Sequence, residues 1–173
     1  THPKDLTLWL PFFKQNTFWK VLIAPHEVHP KAIEVVQQQL PAAAVCYTHI
    51  EKTNAPLDAP FLIIDTIGLL NQLYQYADVV YIGGGFDEGI HNTLEPAVFG
   101  VPLLIGPRYG KFEEAKKMVA LGGMKEVQTF MDIQHILKEL RGASLRKQLG
   151  NINKEYIRSA KGSTEKIYAQ LFK

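Results

Sequence analysis

The stretch YIGGGFDEGIHNTLEPAVFGVPLLIGP, Tyr81 to Pro107, contains most of one β-α-β unit. It begins within the apolar run Val79 to Ile82, continues through three glycines into NTLEPAVFG, and ends with the apolar run Val101 to Ile105. Short apolar runs predict buried strands, and the segment between these two has apolar residues at helical spacing. A strand, a helix and a second strand in this order favour parallel strands joined by a right-handed crossover.

The same alternation extends toward the N-terminus. Further apolar runs at Val21 to Ala24, Ala42 to Tyr47 and Phe61 to Ile64 are separated by the helical patterns HPKAIEVVQQQL and GLLNQLYQYAD. Short strands that are apolar on both sides and alternate with helices predict an α/β fold, a Rossmann-like open parallel sheet with helices on both faces. Gly100 stands where a helix that ends before the next strand favours a left-handed residue.

Toward the C-terminus, helical patterns at Phe130 to Leu140 and Ser144 to Phe172 follow Lys125 to Val127. We expect residues 1–173 to form a single domain, with residues 144–173 as its C-terminal helix, because a chain of this length can bury one core well.

Two other segments differ from this pattern. Glu51 to Pro60, EKTNAPLDAP, is predicted to be a surface loop. The opening segment is rich in aromatic residues around Trp9, which puts much apolar surface near a terminus. Such surface suggests that the chain is cut from a longer protein or meets another domain.

Charge and composition exclude several classes of function. The formal net charge is +2, which is too small to predict binding to nucleic acid or to an anionic membrane surface. No apolar stretch approaches the roughly 20 residues that span a bilayer. The single cysteine, Cys46, lies in an apolar run, which predicts a buried, inert thiol in a reducing, cytoplasmic setting.

Open α/β sheets bind ligands at the carboxyl ends of their strands, where the unusual residues of this chain lie. Gly83 to Gly85 leave a strand without side chains, so their N–H groups can approach an anion closely, or the turn can serve packing alone. No Lys-Ser or Lys-Thr follows, which excludes a Walker loop, and Glu88 stands where a dinucleotide fingerprint needs its third glycine.

A polar set follows the glycines where the next helix begins. Asn92 or Thr93 can cap that helix, with Glu95 closing a capping box. Alternatively, Glu95 is the type of residue that holds a ribose diol, while the helix N-terminus favours a phosphate. Both interpretations remain open on spacing alone.

Histidines at the same edge raise the question of a metal. His26, His29 and His91 are candidates, but no HExxH or paired-cysteine pattern supports a site, and we predict neither a metal nor a cofactor. His26 and Glu27 fit capping or a surface role as well as ligand contact. Asp65 or Thr66 is predicted to cap the helix that follows.

Three segments together resemble a known enzyme family. They are VLIAPHE, IIDTIGLLNQLYQYADVVYIGGGF and GIHNTLEPAVFGVPLLIGPRYGKFEEA, and they run from about Val21 to about Gly123. The resemblance is to the C-terminal half of the Kdo transferases, the glycosyltransferases that place 3-deoxy-D-manno-octulosonic acid (Kdo) on lipid A precursors in Gram-negative envelopes. It implies one of two Rossmann-like domains of a GT-B enzyme.

The resemblance also implies which residues hold the donor, CMP-Kdo. Glu95 would bind the ribose hydroxyls, and N–H groups near the glycines and near His91 would bind phosphate or the Kdo carboxylate. The implied donor contacts are Pro25, His26, Ile67, Gly68, Leu69, Gly83, Gly84, Gly85, His91, Asn92, Thr93, Leu94 and Glu95. The chain departs from the family at His26, where many members have Arg, at Ile67 to Leu69, where they have Met-Gly-Glu, and at Lys111, where they have Asn.

The implied reaction is an inverting transfer of Kdo to a lipid A precursor at the cytoplasmic face of the bacterial inner membrane. In the family, the general base is a glutamate of the N-terminal domain. The acceptor surface and the membrane anchor also belong to that domain. We therefore assign no catalytic residue to this chain and expect it to be inactive alone. Two alternatives remain: another GT-B enzyme that uses a UDP-sugar, as a glycosyltransferase or an epimerase, and a non-enzymatic α/β binding module.

Overall fold

A computed structural model describes residues 1–16, 18–54, 56, 58–87, 89–160, 168 and 170. In these residues strands alternate with helices, as the sequence predicts. The elements are α1 (Pro3–Gln15), β1 (Val21–Ile23), α2 (Pro30–Gln39), β2 (Ala44–Cys46), α3 (Tyr47–Thr53), β3 (Phe61–Ile63), α4 (Leu70–Leu73), a 3₁₀ turn (Tyr74–Tyr76), β4 (Val80–Ile82), α5 (Leu94–Val98), β5 (Leu103–Ile105), α6 (Glu113–Leu121), β6 (Met124–Glu126), α7 (Phe130–Glu139) and α8 (Ala143–Ala160).

All of the strand pairs described are parallel, which confirms the predicted type of sheet. The strands form two three-stranded sheets, in the orders β1-β3-β2 and β4-β5-β6, where we expected one continuous sheet. Leu22 pairs with Leu62 in the first sheet, and Tyr81 pairs with Leu104 in the second. Residues of β1 and β4 line a cavity instead of pairing with each other.

The second sheet is covered on both faces. Leu103 and Ile105 of β5 belong to a core cluster with Met118 of α6, whereas Leu104 belongs to a second cluster with Ile133 of α7. Successive side chains of a strand point to opposite faces, so both faces of β5 are apolar and buried. This arrangement confirms the doubly covered, Rossmann-like character of the predicted fold.

Helix α1 connects the two sheets. The Trp9 ring lies 5.1 Å from that of Tyr81 in β4, and the Phe13 ring lies 5.3 Å from that of Phe61 in β3. Trp9 and Phe13 are buried in the core together with Leu6 of the same helix. Much of the aromatic surface that suggested a contact with another domain is therefore buried within this chain.

Several local predictions need correction or have a clear outcome. Residues 51–53, predicted to be loop, complete α3, which ends at Asn54 in a left-handed conformation. Asp65 accepts hydrogen bonds from the N–H and hydroxyl of Thr48, so it caps α3 and not the helix that follows it in sequence. The left-handed Gly100 is confirmed, with φ at 71°.

The last elements differ from the expected ones in extent. Strand β6 overlaps Lys125 to Val127, a segment for which the sequence analysis predicted no element. The predicted helix over residues 144–173 is present as α8 up to Ala160, and most of its remainder lies outside the described residues. None of the helices in the described part of the chain is both long enough and apolar enough to cross a membrane.

Candidate nucleotide site

A cavity of about 940 Å³ lies between strands β1 and β4. Its walls include both strands and the loops at their carboxyl ends, where α/β sheets bind ligands. The predicted site residues that line it are Pro25, His26, Gly83, His91, Asn92 and Glu95. Because these come from the loop after β1, from the loop after β4 and from the first turn of α5, the fold brings together side chains that the sequence could associate only by their positions after strands.

The glycine turn at the end of β4 is closed by the protein itself. Gly84 adopts φ of 89°, and a Cβ at this position would collide with the carbonyl oxygen of Gly89. A Cβ on Gly85 would lie 2.7 Å from the Cα of Gly106, so the ends of β4 and β5 approach each other closely. The glycines thus serve packing, the simpler of the two roles weighed from the sequence.

The N–H group of Gly84 already has an anionic partner. It donates to Oδ2 of Asp5 at 2.9 Å, and the fully buried Asp5 carboxylate also accepts from the N–H of His2 at 2.9 Å and the hydroxyl of Tyr81 at 2.7 Å. Burial, followed by this hydrogen bond and the charge of Asp5, raises the pKa of Tyr81. Asp5 therefore occupies the position near Gly84 that the sequence analysis offered to a ligand anion.

Sequence reasoning missed Asp5 and His2. Asp5 is separated from Gly84 by 79 positions, so no local pattern associates them. One signal was present: Asp5 lies one helical turn before Trp9 and two before Phe13, on the face of α1 that is buried. A carboxylate on an otherwise aromatic face indicates a buried polar partner elsewhere in the chain.

The start of α5 is held by local contacts. Oδ1 of Asn92 accepts from the N–H of Leu94 at 2.9 Å, and Nδ2 of Asn92 donates to Oε1 of Glu95 at 2.9 Å. The capping role considered for Asn92 is thus present. Thr93 makes no side-chain cap, and its buried hydroxyl lacks a hydrogen-bond partner among the described residues.

Glu95 combines a fixed orientation with access to the cavity. One of its carboxylate oxygens is held by Asn92, and the side chain lines the cavity wall. Burial, and then the charge of Glu95, raises the pKa of Tyr74 to about 12. The cavity therefore presents a carboxylate beside a phenol that stays protonated near neutral pH.

Three histidines lie together beside the cavity, and two of them, His26 and His91, line it. Nε2 of His2 lies 3.1 Å from Nε2 of His91, and the His2 ring stacks on that of His26 with centroids 4.4 Å apart. Partial burial lowers the pKa of His2 and His91, and the neighbouring imidazoles lower it further. His29, which the sequence suggested as a third member, instead contacts Glu27 and caps α2.

Other predicted site residues lie elsewhere. Ile67 is 86% exposed, and Gly68 has open space around it and φ of 90°, so with Leu69 they form an exposed loop before α4. Gly84 and Gly85 are buried in the turn. Thr93 is buried behind the start of α5, whereas Leu94 is 40% exposed. None of these seven residues is among those that line the cavity in the described part of the chain.

Sequence comparison identifies several relatives that share one name. A 3-deoxy-D-manno-octulosonic acid transferase of Chlamydophila psittaci is 36% identical over 126 residues, covering 70% of this chain and 28% of that protein. The enzyme of the same name from Chlamydia muridarum is 32% identical over 143 residues, 79% of this chain and 32% of that protein. The chain is a relative of the Kdo transferases. This finding confirms the family resemblance inferred from the motifs.

The match to Kdo transferases extends over the whole chain in a more distant relative. The Rickettsia prowazekii protein of the same name is 24% identical over an alignment that covers all of this chain and 39% of that protein. The chain thus spans about a third of the length of these curated Kdo transferases. No family model matches the sequence.

A solved structure confirms the fold. The C-terminal CMP-Kdo binding domain of WaaA from Acinetobacter baumannii superimposes with a TM-score of 0.70, covering 90% of this chain and 83% of that domain. The sequences are 21% identical, so the likeness concerns the arrangement of strands and helices. The Rossmann-like α/β architecture predicted from the sequence is therefore shared with that solved domain.

Proposed function

We propose that this chain is the donor-binding domain of a glycosyltransferase that moves Kdo from CMP-Kdo to a lipid A precursor. The observation that carries the proposal is the meeting of His26, His91 and Glu95 around one cavity at the carboxyl ends of β1 and β4. Two names support it: the sequence relatives are called Kdo transferases, and the structural neighbour is called a CMP-Kdo binding domain.

Glu95 is the proposed ligand of the ribose. A carboxylate can accept hydrogen bonds from two adjacent hydroxyl groups at once. Its hydrogen bond from Asn92 fixes its orientation before the nucleotide arrives, so less conformational entropy is lost on binding. Asn92 therefore has a structural and a positioning role together.

The phosphate and the Kdo carboxylate need donors other than the N–H of Gly84, which is bonded to Asp5. We assign this role to the imidazoles of His26 and His91 and to backbone N–H groups near the start of α5. Fixed donors directed at the leaving phosphate stabilise the charge that develops as CMP departs. This arrangement makes use of the cavity wall and leaves the buried glycine turn as its support.

The remaining machinery is assigned to parts of the enzyme outside these 173 residues. Transfer needs a general base for the acceptor hydroxyl, which we place in a second domain together with the acceptor surface and the contact with the cytoplasmic face of the inner membrane. The isolated chain is accordingly expected to bind CMP and to transfer no Kdo. Kdo transfer by the isolated chain would contradict this division of roles.

A thermal-shift titration with CMP, UMP, UDP and AMP tests the proposal. CMP should raise the unfolding temperature most, because a ligand that binds only the native state stabilises it. Glu95→Gln should weaken CMP binding by about tenfold, since it replaces a charged acceptor by a neutral one. Glu27→Gln is the matched control, because Glu27 is exposed and bonds only with His29 among the described residues.

Other outcomes would favour the alternatives. A larger stabilisation by UDP than by CMP would indicate a UDP-sugar transferase or epimerase. Absence of stabilisation by any of the four nucleotides, together with a lower stability of Glu95→Gln, would indicate a binding module in which Glu95 serves only the helix start.

A further inference from the structure

We propose that His2, His26 and His91 form a binding site for a divalent transition metal of the zinc class. One ligand nitrogen of each imidazole lies within 4.8 Å of those of the other two. Neither the names of the relatives nor the donor-binding role calls for a metal. The inference goes beyond the proposed function, shares His26 and His91 with the proposed donor site, and is tested without nucleotide.

The distances are close to those that a zinc ion requires. Zinc binds imidazole nitrogens at about 2.0 Å in a tetrahedral arrangement, which places two ligand nitrogens about 3.3 Å apart. Nε2 of His2 and Nε2 of His91 are already 3.1 Å apart. The His26 side chain is exposed, so its ring is free to turn toward the other two with little cost in packing.

The backbones that carry the three rings are fixed. The N–H of His2 donates to the buried Asp5, the N–H of His26 donates to the carbonyl of Thr1 at 3.0 Å, and the N–H of His91 donates to the carbonyl of Gly83 at 3.1 Å. Ligands on a fixed backbone lose less freedom when they bind an ion. The positions of the three imidazoles are therefore held by backbone hydrogen bonds of the folded chain.

The type and number of ligands decide the class of ion. Imidazole suits zinc, copper and nickel, whereas magnesium and calcium prefer oxygen. Three protein ligands leave the fourth position of a tetrahedral ion open. Because His26 and His91 line the cavity, an ion that they held would lie beside the space that Asn92 and Glu95 also border.

The experiment measures zinc binding to the untagged 173-residue chain by calorimetry after treatment with a chelator. We expect one zinc ion per chain and no comparable heat with magnesium. Cobalt in place of zinc should give the visible absorption of a low-coordinate site. His2→Gln and His91→Gln should each weaken zinc binding at least tenfold, as expected for loss of one of three ligands.

Matched controls separate the cluster from other sources of metal binding. His29→Gln and His135→Gln alter exposed histidines that contact Glu27 and Glu139 and should leave the affinity unchanged. The chain with an acetylated N-terminus should also bind zinc normally, which excludes a chelate between the terminal amine and His2. Unfolding midpoints of all variants in the absence of metal show whether a loss of affinity comes from misfolding.

Three results would overturn the proposal. They are a stoichiometry of zero at micromolar zinc, equal affinity in the cluster and control variants, or equal binding of magnesium and zinc. Because nucleotide is absent throughout, each of these results leaves the CMP experiment to decide the donor-binding role separately.

Discussion

The glycine turn and the start of α5 are neighbours in sequence but are held together by different contacts. Gly84 and Gly85 are buried and are fixed by distant partners, Asp5 and Gly106. The start of α5 is fixed by a contact between Asn92 and Glu95, three positions apart, and it faces the cavity. On the proposed function, the turn is the support and the helix start is the binding surface.

The largest expected effect comes from Gly84→Ala. A Cβ at Gly84 would collide with the carbonyl oxygen of Gly89, and the alanine would have to adopt the left-handed backbone conformation of Gly84. We therefore expect a loss of about 3 kcal/mol in the free energy of unfolding. Gly110→Ala is the control, because Gly110 has open space around it, and it should change stability by less than about 0.5 kcal/mol. Urea denaturation measures both, and similar losses would show that the turn is not tightly packed.

The next effect comes from Asp5→Asn, which keeps the shape but removes the charge that the turn binds. We expect the free energy of unfolding to fall by about 2 kcal/mol, since buried hydrogen bonds to a charged group are replaced by weaker ones. The NH₂ group of the asparagine would also face an N–H donor of the protein instead of an acceptor. Asp78→Asn, in an ion pair with Arg146 and with 62% of its side chain exposed, should cost less than about 1 kcal/mol. Equal losses in denaturation experiments would mean that Asp5 does not support the turn.

Asn92→Ala should distinguish the roles of the two regions, because it is expected to change CMP affinity more clearly than stability. Loss of one side-chain cap costs about 1 kcal/mol, which is smaller than the effects at the turn. CMP affinity should fall in addition, because Glu95 loses the hydrogen bond that orients it. A large loss of stability with unchanged CMP binding would reverse the assignment of support and binding surface.

The smallest expected effect on stability is at the start of α7. This helix start has a capping box but no proposed ligand, so it serves as a reference for the start of α5. Asp132 accepts hydrogen bonds from the N–H groups of Gln128 and Thr129, and these hold its pKa below the usual range. A lowered pKa stabilises the native state above about pH 4, and this contribution is lost as the pH falls through the folded value. Asp132→Asn should therefore cost about 1 kcal/mol at pH 7 and less below about pH 4.

Chemical denaturation across this pH range measures the difference between Asp132→Asn and the unchanged chain. Asp58→Asn, in an exposed loop, should show no comparable difference at any pH. A cost for Asp132→Asn that stays constant down to pH 3 would contradict the assignment of the lowered pKa to its role in the capping box.

Part of the site could be predicted because it depends on contacts between near neighbours. The Asn92 cap and the left-handed Gly100 follow from residue types within a few positions. The position of His91 and Glu95 after β4 follows from the rule that ligands bind at strand ends. The short α3 was missed because its cap, Asp65, lies in the loop after β3, 17 positions from Thr48, and no local pattern associates the two residues.

By itself, the sequence determined the alternation of strands and helices, the parallel type of sheet and the family, since these depend on local periodicity and on motifs that are contiguous. Only the tertiary structure decided that Asp5 accepts the hydrogen bond of the glycine turn and that α1 joins two separate sheets. It also decided that His2 contacts His91, 89 positions away. The physical reason is that a contact between distant segments depends on the packing of the whole core. Nothing in the local spacing of either segment specifies its partner.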